Sequence, residues 1–588
     1  MTASIFDEPA FSANLFFPRP DASQPPAGAE DQWLVMDDGA RIHARIHGLD
    51  RATAALVHFH GNGEVVADGD PLAPAFVRAG VALALVEYRG YGQSSPAAPS
   101  LRRCLADAAA CLDQLRPILS REGTPLPLVV MGRSLGGFLV SLLAGRLPRS
   151  VAGWILESAA IDLRGLVQRR SFDPDLITEQ DRVEFDPTRA LRWSRAPLLI
   201  LHGDEDRLVP PENAEQALQA AGSVDKRRVW LAGRGHNDTL LSPRLLPEIL
   251  TFVEGCAARA DRRAGSLVVQ GLGDALGFLV EGEHPARCSW FVQETFSRED
   301  PPTRTRGPFA FGQYSDDTQL ARELARSLVG CASWSPEDMA ARVAAIFRED
   351  RIVGRGRATE NAAHRLIAGV PWDQAGEPPP RAGNGGAMRA GPVGLAERSP
   401  ALRLRIAEEQ ARITHQDPRA RAAAILVAEA VAGALDDEDL TDPALQERLA
   451  SAVAPLDSVL AAALRRLPRW LAMEEAKAME EIAGVGLEDP SQLAGSRWHG
   501  ISPMATCSAL AALVAYARAP LDPERVLSAA IAAGGDVDTV AAMAGAMVGA
   551  RVGLHGLSPR LRRWALLLND QGSDGVGELA ALGHGMTC

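Results

Sequence analysis

LVVMGRSLGG, residues 128–137, is an apolar run that breaks into a Gly-x-Ser-x-Gly turn centred on Ser134. A strand ending in such a turn before a helix exposes the serine hydroxyl at the positive end of that helix. Serines between glycines also occur in ordinary tight turns, so the neighbours decide the reading. Downstream, LILHGDEDRLVP (199–210) is an apolar run ending in acids, and LAGRGHND (231–238) follows with His236. Nucleophile, acid and imidazole therefore come in the order Ser134, Asp204 or Asp206, His236. In that constellation Ser134 attacks an acyl carbon, His236 relays the proton, and a carboxylate holds the imidazole tautomer. Upstream, VHFHGNG (57–63) offers a glycine-rich turn after a strand. The backbone N–H there, at Asn62, and that of Leu135 are expected to form an oxyanion hole. His58, His60 and His202 read as structural residues at strand ends.

Outward from this motif, the chain reads as two unlike halves. From Arg41 to Val253, short apolar runs alternate with helical stretches. These runs are Leu56–His60, Ala82–Glu87, Leu128–Gly132, Gly153–Leu156, Leu198–His202 and Arg228–Leu231. Such spacing predicts βαβ units and a mainly parallel sheet with flanking helices. From Leu267 onward, long Ala/Leu/Glu/Arg segments such as Arg419–Leu435 and Pro443–Leu467 predict an all-α region. The boundary is placed in the charged stretch Cys256–Gly265, giving domains 1–258 and 265–588. Residues 18–30 and 373–384 are Pro/Gly-rich loops, and no internal repeat is evident.

The second half carries two acidic clusters, YSDDT (314–318) and GGDVDT (534–539). Acids at helix N-termini are ordinary caps, worth ~1 kcal/mol each. Adjacent pairs with hydroxyl neighbours (Ser315, Thr318, Thr539) exceed what capping needs. Carboxylates crowded into one apolar site repel one another and lose hydration, so they imply a bound cation. All the donors are oxygen, which favours Mg²⁺, Mn²⁺ or Ca²⁺ over zinc. GNGGAMRAG (383–391) adds a nest of backbone N–H groups suited to pyrophosphate, at Gly385 and Gly386, with Asn384 and Arg389 nearby.

Both halves resemble known families. GLGDALGFLVEG (271–282), YSDDTQLA (314–321), GNGGAMR (383–389), ITHQD (413–417) and GGDVDTVAAMAGA (534–546) resemble, in order, the motifs of the ADP-ribosylglycohydrolase family. That family includes the enzymes that reactivate ADP-ribosylated dinitrogenase reductase, and the resemblance spans roughly 265–588. HFHGNG, EYRGYGQS, GRSLGG, HGDEDRLVP and GHNDT together resemble the bud-emergence-type α/β-hydrolases over about residues 10–255. The spacing HGxxD followed by Val-Pro looks like the usual acid of that family and favours Asp206 over Asp204. Only about 40 residues between Ser158 and Pro197 are left for a cap, which should be small.

The first resemblance implies that Ser315, Asp316, Asp317, Asp536, Asp538 and Thr539 hold two Mg²⁺ ions, with Mn²⁺ as a substitute. It implies a substrate ribose bound through its vicinal hydroxyls. Glu281 or a metal-bound aspartate would then steer water to the anomeric carbon. Asp274 and His415 match family positions at the ADP-ribose. Arg355 and Arg357 in GRGRAT (354–359) are candidate phosphate partners. Glycines 273 and 277 fit either a close-approaching ligand or helix packing. GSRWHGISPMATCSAL (495–510) departs from the family pattern, so the acceptor stays open between arginine, serine and a small ADP-ribose ester. Trp498 in that stretch could stack on a base or simply pack.

The expected partner is an ADP-ribosylated protein or a small-molecule ADP-ribose conjugate. A net charge of −13 argues against a nucleic-acid surface. Seven scattered cysteines without CxxC pairs fit reduced thiols, and no run is apolar enough to span a membrane, so a cytoplasmic location is expected. The rival to a bifunctional hydrolase is an ADP-ribose-binding or structural protein with an inactive glycohydrolase fold, since lens crystallins use that fold without activity.

Overall fold

The computed structural model describes residues 4–121, 123–147, 151–331, 333–487, 499–569 and 574–586. The chain divides into two compact units, one up to Ala260 and one over Asp261–Met586. Arg259, Asp261, Arg262 and Arg263 are helical, within Leu245–Phe278. Val253 and Cys256 are buried in the core of the first unit, Ala264 and Leu267 in that of the second.

The first unit is built on eight strands: β1 Ala29–Val35, β2 Arg41–His47, β3 Ala54–Phe59, β4 Val81–Val86, β5 Leu128–Arg133, β6 Gly153–Glu157, β7 Leu198–Gly203 and β8 Lys226–Leu231. Their order in the sheet is β1-β2-β4-β3-β5-β6-β7-β8. β1 pairs antiparallel with β2, as β2 does with β4, and the remaining pairings are parallel. The sequence reading misses β1 and β2 as strands because their residues are charged. Arg45 on β2 is fully buried, yet Asp31 and Asp70 each meet its guanidinium at 2.7 Å. Buried charge paired in this way on one face masks the alternation of Ile42, Ala44 and Ile46 on the other.

Side chains alternate across the sheet. Ala55, Val57 and Phe59 of β3 face a layer containing Leu105 and Leu139, while Ala54 and Leu56 face Phe76 and Ile249. β3 lies between β4 and β5, so the turns after β3 and β5 open onto one crevice at the carboxyl ends of the strands. This switch point is where open α/β sheets place their ligands. The cap is small, as expected: short helices at Leu163–Arg169, Glu179–Phe185 and Pro187–Leu191. The N-terminal segment joins it unannounced, with Phe6 packing on Phe185 at 4.9 Å and Phe11 on Phe172 at 5.2 Å between ring centroids.

The second unit has no strand among its described residues. Pro443–Leu467 is not one helix. It is Pro443–Val453 and Ser458–Leu464, divided around Pro455, where a proline removes the N–H that would continue the ladder. Glycines 273 and 277 serve helix packing. A β-carbon on Gly273 would lie 2.2 Å from the Ala541 carbonyl oxygen, and one on Gly277 2.5 Å from Cα of Asp538. Helix Val537–Val552 therefore lies backbone-to-backbone against Leu245–Phe278, which brings Asp538 beside the segment that carries Asp274. No helix among the described residues is long and apolar enough to cross a membrane.

Candidate functional site

At the end of β5, Ser134 adopts φ 52°, ψ −110°, a strained conformation held by close packing. A β-carbon on Gly132 would meet the Gly136 carbonyl oxygen at 2.2 Å, and one on Gly136 would meet that of Phe59 at 2.1 Å. Only glycine fits on both sides of Ser134, and the turn is pressed against the end of β3. Nε2 of His236 lies 2.9 Å from Oγ of Ser134, and its Nδ1 lies 2.7 Å from Asp206. The other Asp206 oxygen accepts the N–H groups of Leu208 and Val209 at 2.9 and 2.8 Å. Burial works to raise the Asp206 carboxyl, but hydrogen bonds from His236 and Val209 outweigh it and hold the group below the ordinary range. Asp204 is a turn acid instead, accepting the Gly233 N–H at 2.7 Å.

The backbone N–H groups of Asn62 and Leu135 make no hydrogen bond among the described residues. The Asn62 side chain is engaged elsewhere. It donates to the Leu15 carbonyl at 2.6 Å and accepts from Tyr91 and from the Phe17 N–H at 2.7 and 2.9 Å. One residue that the sequence reading overlooked joins these parts. Arg133 ion-pairs with Glu64 and donates to the His236 carbonyl at 2.7 Å. Glu64 in turn accepts the Gly61 N–H at 2.7 Å. Arg133 thus ties the turn after β3 to the loop of His236. Its position inside GxSxG was the available signal. Among the other histidines, His60 pairs with Glu87 at 2.9 Å and His202 contacts the Val209 carbonyl at 2.9 Å, as strand-end structural residues should.

In the second unit the two acidic clusters converge. Thr539 donates its hydroxyl to Asp317 at 3.0 Å, and Ser315 donates to the same carboxylate at 3.2 Å. Glu281, Asp536 and Asp538 place one carboxylate oxygen each within 4.8 Å of one another. Two backbone bonds produce this meeting: the Gly282 N–H donates to the Gly535 carbonyl at 2.8 Å, and the Gly535 N–H to that of Glu283 at 3.1 Å. Arg306 pairs with Glu281 at 2.5 Å. The aspartates are nearly inaccessible, and burial raises all of them. Asp274 rises to about 6 and Asp536 to about 7, the latter with help from the Glu281 charge. Asp316, Asp317 and Asp538 rise well above the ordinary range, through burial first and mutual repulsion second. Enclosed oxygen donors with excess negative charge are what a hard divalent cation requires.

Several expected ligand contacts fall elsewhere. Asp274 is fully buried, and its two oxygens accept the N–H groups of Ser315 and Thr318 at 2.9 Å each. It anchors the start of helix Asp316–Gly330. Arg389, expected near pyrophosphate, is also fully buried and donates to the side chain and carbonyl of Gln410, so burial lowers it to about 10. Asn384 donates to Asp536 at 2.5 Å and to Ser508 at 3.0 Å, which joins it to the acidic cluster. His415 is buried behind the Asn384–Gly386 turn, its pKa lowered by burial to about 3. A β-carbon on Gly385 would lie 2.7 Å from its ring. Arg355 pairs with Asp350 and Glu360. Gly354 brings backbone against Asp316, 3.1 Å from where its β-carbon would sit. Trp498 lies outside the described residues.

Comparison with known proteins agrees with this division. Residues 256–583 match the ADP-ribosylglycohydrolase family, and residues 50–174 match serine aminopeptidase S33. The chain is 30% identical over 319 residues to ADP-ribosylhydrolase ARH3 of Danio rerio, covering 50% of this chain and 84% of that one. It is 25% identical over 210 residues to the protein bem46 of Schizosaccharomyces pombe, covering 34% of this chain and 66% of that one. A solved ADP-ribosylglycohydrolase-related protein complex is 27% identical, with a TM-score of 0.40, covering 56% of this chain and 99% of that one. The chain belongs to the ADP-ribosylglycohydrolase family, with an α/β-hydrolase domain ahead of the family domain.

Proposed function

We propose that the protein is a bifunctional hydrolase: its second unit cleaves the anomeric N- or O-glycosidic bond of ADP-ribose conjugates, and its first unit cleaves esters through Ser134. The meeting of Glu281, Asp536 and Asp538 beside Asp317 carries the glycosidic half. Ser315, Asp316, Asp317, Asp536, Asp538 and Thr539 would hold two Mg²⁺ ions, or Mn²⁺ in their place. Such ions supply positive charge for the vicinal ribose hydroxyls and for a water molecule. Glu281 is the acid of its trio that is not buried, so solvent reaches it. It accepts the proton of the attacking water as the oxocarbenium-like centre forms. Arg306 fixes its orientation. Asn384, through Asp536, keeps the cluster in register with the glycine-rich turn.

In the first unit, Ser134 attacks the acyl carbon as His236 takes its proton, and Asp206 steadies the resulting imidazolium. The N–H groups of Asn62 and Leu135 receive the oxyanion. His236 then protonates the departing alcohol, and water repeats the sequence to release the acid. Two hydrolases on one chain suit a shared substrate class, acylated or ester-linked ADP-ribose, free or on a protein. Linkage raises the local concentration of an intermediate that passes from one site to the other.

A panel of arginine-, serine- and ester-linked ADP-ribose conjugates, offered with Mg²⁺ to the intact chain, Ser134→Ala and Asp538→Ala, tests this reading. Asp538→Ala should stop ADP-ribose release while leaving fluorophosphonate labelling of Ser134 unchanged. Simultaneous loss of both activities would overturn the two-site assignment. Binding of ADP-ribose without release from any conjugate would favour the non-catalytic alternative.

A further inference from the structure

The sheet face that packs on Phe76 and Ile249 encloses a cavity of about 250 Å³ that the serine chemistry does not use: Ser134, Asp206 and His236 do not line it. Its floor is apolar, formed by Leu56, Leu83, Leu85 and Met131 of the sheet and by Phe76 and Ile249 of the covering helices. Glu64, Asp68, Arg133 and Asn237 form a polar rim, together with Leu240, which is 54% exposed. Close-packed interiors seldom leave a void larger than a water molecule. This one has the volume of about eight waters at roughly 30 Å³ each, yet its floor gives them no hydrogen-bond partners.

The rim specifies what kind of molecule could enter. Glu64 is engaged by Arg133 and by the Gly61 N–H at 2.7 Å. Asp68 is engaged by Arg19 at 2.5 Å and by the Val65 N–H at 3.0 Å. Glu157, also in the wall, ion-pairs with Arg133 at 3.6 Å and accepts the Thr239 hydroxyl at 2.7 Å. A carboxylate or an ammonium would find no unpaired opposite charge here, and its desolvation would go uncompensated. One polar group does stand open. His58 follows Leu56 on the same face of β3, and its Nε2 has no hydrogen-bond partner among the described residues. Burial lowers that ring to about 4, so it is neutral at neutral pH and able to pair with a hydroxyl.

We propose that this cavity binds a neutral, linear aliphatic alcohol of about eight carbons, its chain along the apolar floor and its hydroxyl against Nε2 of His58. Its lining holds none of Ser134, Asp206 and His236, and its occupancy does not need them. Arg133 forms part of its rim and also holds the His236 carbonyl, so an occupied cavity would adjoin the support of the serine site.

Equilibrium dialysis of labelled octan-1-ol against the full chain tests the proposal, with unlabelled octanoate and octylamine as competitors. The expected result is one saturable site per chain from which neither charged compound displaces the alcohol at equal concentration. His58→Leu should weaken octanol binding about tenfold, the worth of one hydrogen bond. Ile249→Phe, which fills the floor, should abolish it. Unsaturable uptake, equal displacement by octanoate or octylamine, or unchanged affinity in His58→Leu would each overturn the proposal. Should Ile249→Phe fail to fold, His58→Leu and the head-group comparison still decide it.

Discussion

The serine centre and the acidic cluster solve the same problem, buried carboxylates, in opposite ways. Asp206 receives the Leu208 and Val209 N–H groups and the His236 ring, and these partners hold its pKa down against burial. Asp317 accepts the Thr539 and Ser315 hydroxyls, Asp536 the Asn384 amide, Asp538 the Thr539 N–H and Asp316 a backbone N–H at Gly356, yet their pKa values rise. The first site is electrostatically complete with protein atoms alone. In the second, burial and mutual repulsion outweigh the hydrogen bonds that its aspartates accept. The contrast makes separate demands on experiment.

The largest expected effect falls on the serine centre. Ser134→Ala should reduce p-nitrophenyl ester hydrolysis by about 10⁶-fold, since nucleophile and base act as a unit. Its ADP-ribose release should be unchanged, and residual esterase activity near wild type would break the triad assignment. Asp206→Asn should lower kcat about 10⁴-fold through the wrong imidazole tautomer. Asp204→Asn, measured in parallel, should cause little change in kcat, which sharpens the choice between the two acids.

Chelation separates the centres without mutation. Excess EDTA should abolish ADP-ribose release, readily followed by chromatography, and leave ester hydrolysis intact. Equal inhibition of both would remove the distinction drawn above. A smaller effect is expected from Arg133→Gln. With its guanidinium gone, the turn at Gly61 and the His236 loop lose their common tie, and kcat for esters should fall about tenfold for a lost charged hydrogen bond. KM should change less, and Arg133→Lys should recover part of the loss.

The smallest effect is on stability. Without divalent ions, the acidic cluster holds protons that the unfolded chain releases near 3.8, whereas Asp536 releases its proton only near 7. Its contribution to stability is therefore full below pH 4 and is lost as pH rises towards 7. Asp206, with its lowered pKa, has the opposite slope: its contribution is lost on acidification. In EDTA, thermal unfolding of the second unit should move to lower temperature between pH 5 and 7.5, and added Mg²⁺ should reverse the shift. A flat profile in chelator would show that the cluster is neutralised by other means.

Local chemistry was legible in the sequence wherever a residue's role depends on its near neighbours. The strand–GxSxG–helix transition, the alternating strands of the first half and the helical periodicity of the second all express short-range periodicity and turn chemistry, which the order of residues carries directly. The acidic pairs were legible as well, because two carboxylates beside a hydroxyl remain anomalous in any fold. What only the tertiary structure decided depends on contacts between distant segments. Asp274 was legible as an acid but not as the anchor of Ser315 and Thr318, which lie 41 and 44 residues away. Arg389 reads as a phosphate ligand until its guanidinium is seen facing Gln410. Glycines 273 and 277 could serve a ligand or a helix until Ala541 and Asp538 are found against them. Glu281 meets Asp536 only because the Gly535 carbonyl and N–H bond to the backbone of Gly282 and Glu283. Burial and pairing arise from the whole chain closing on itself, so side chains of identical type take opposite roles according to what packs against them.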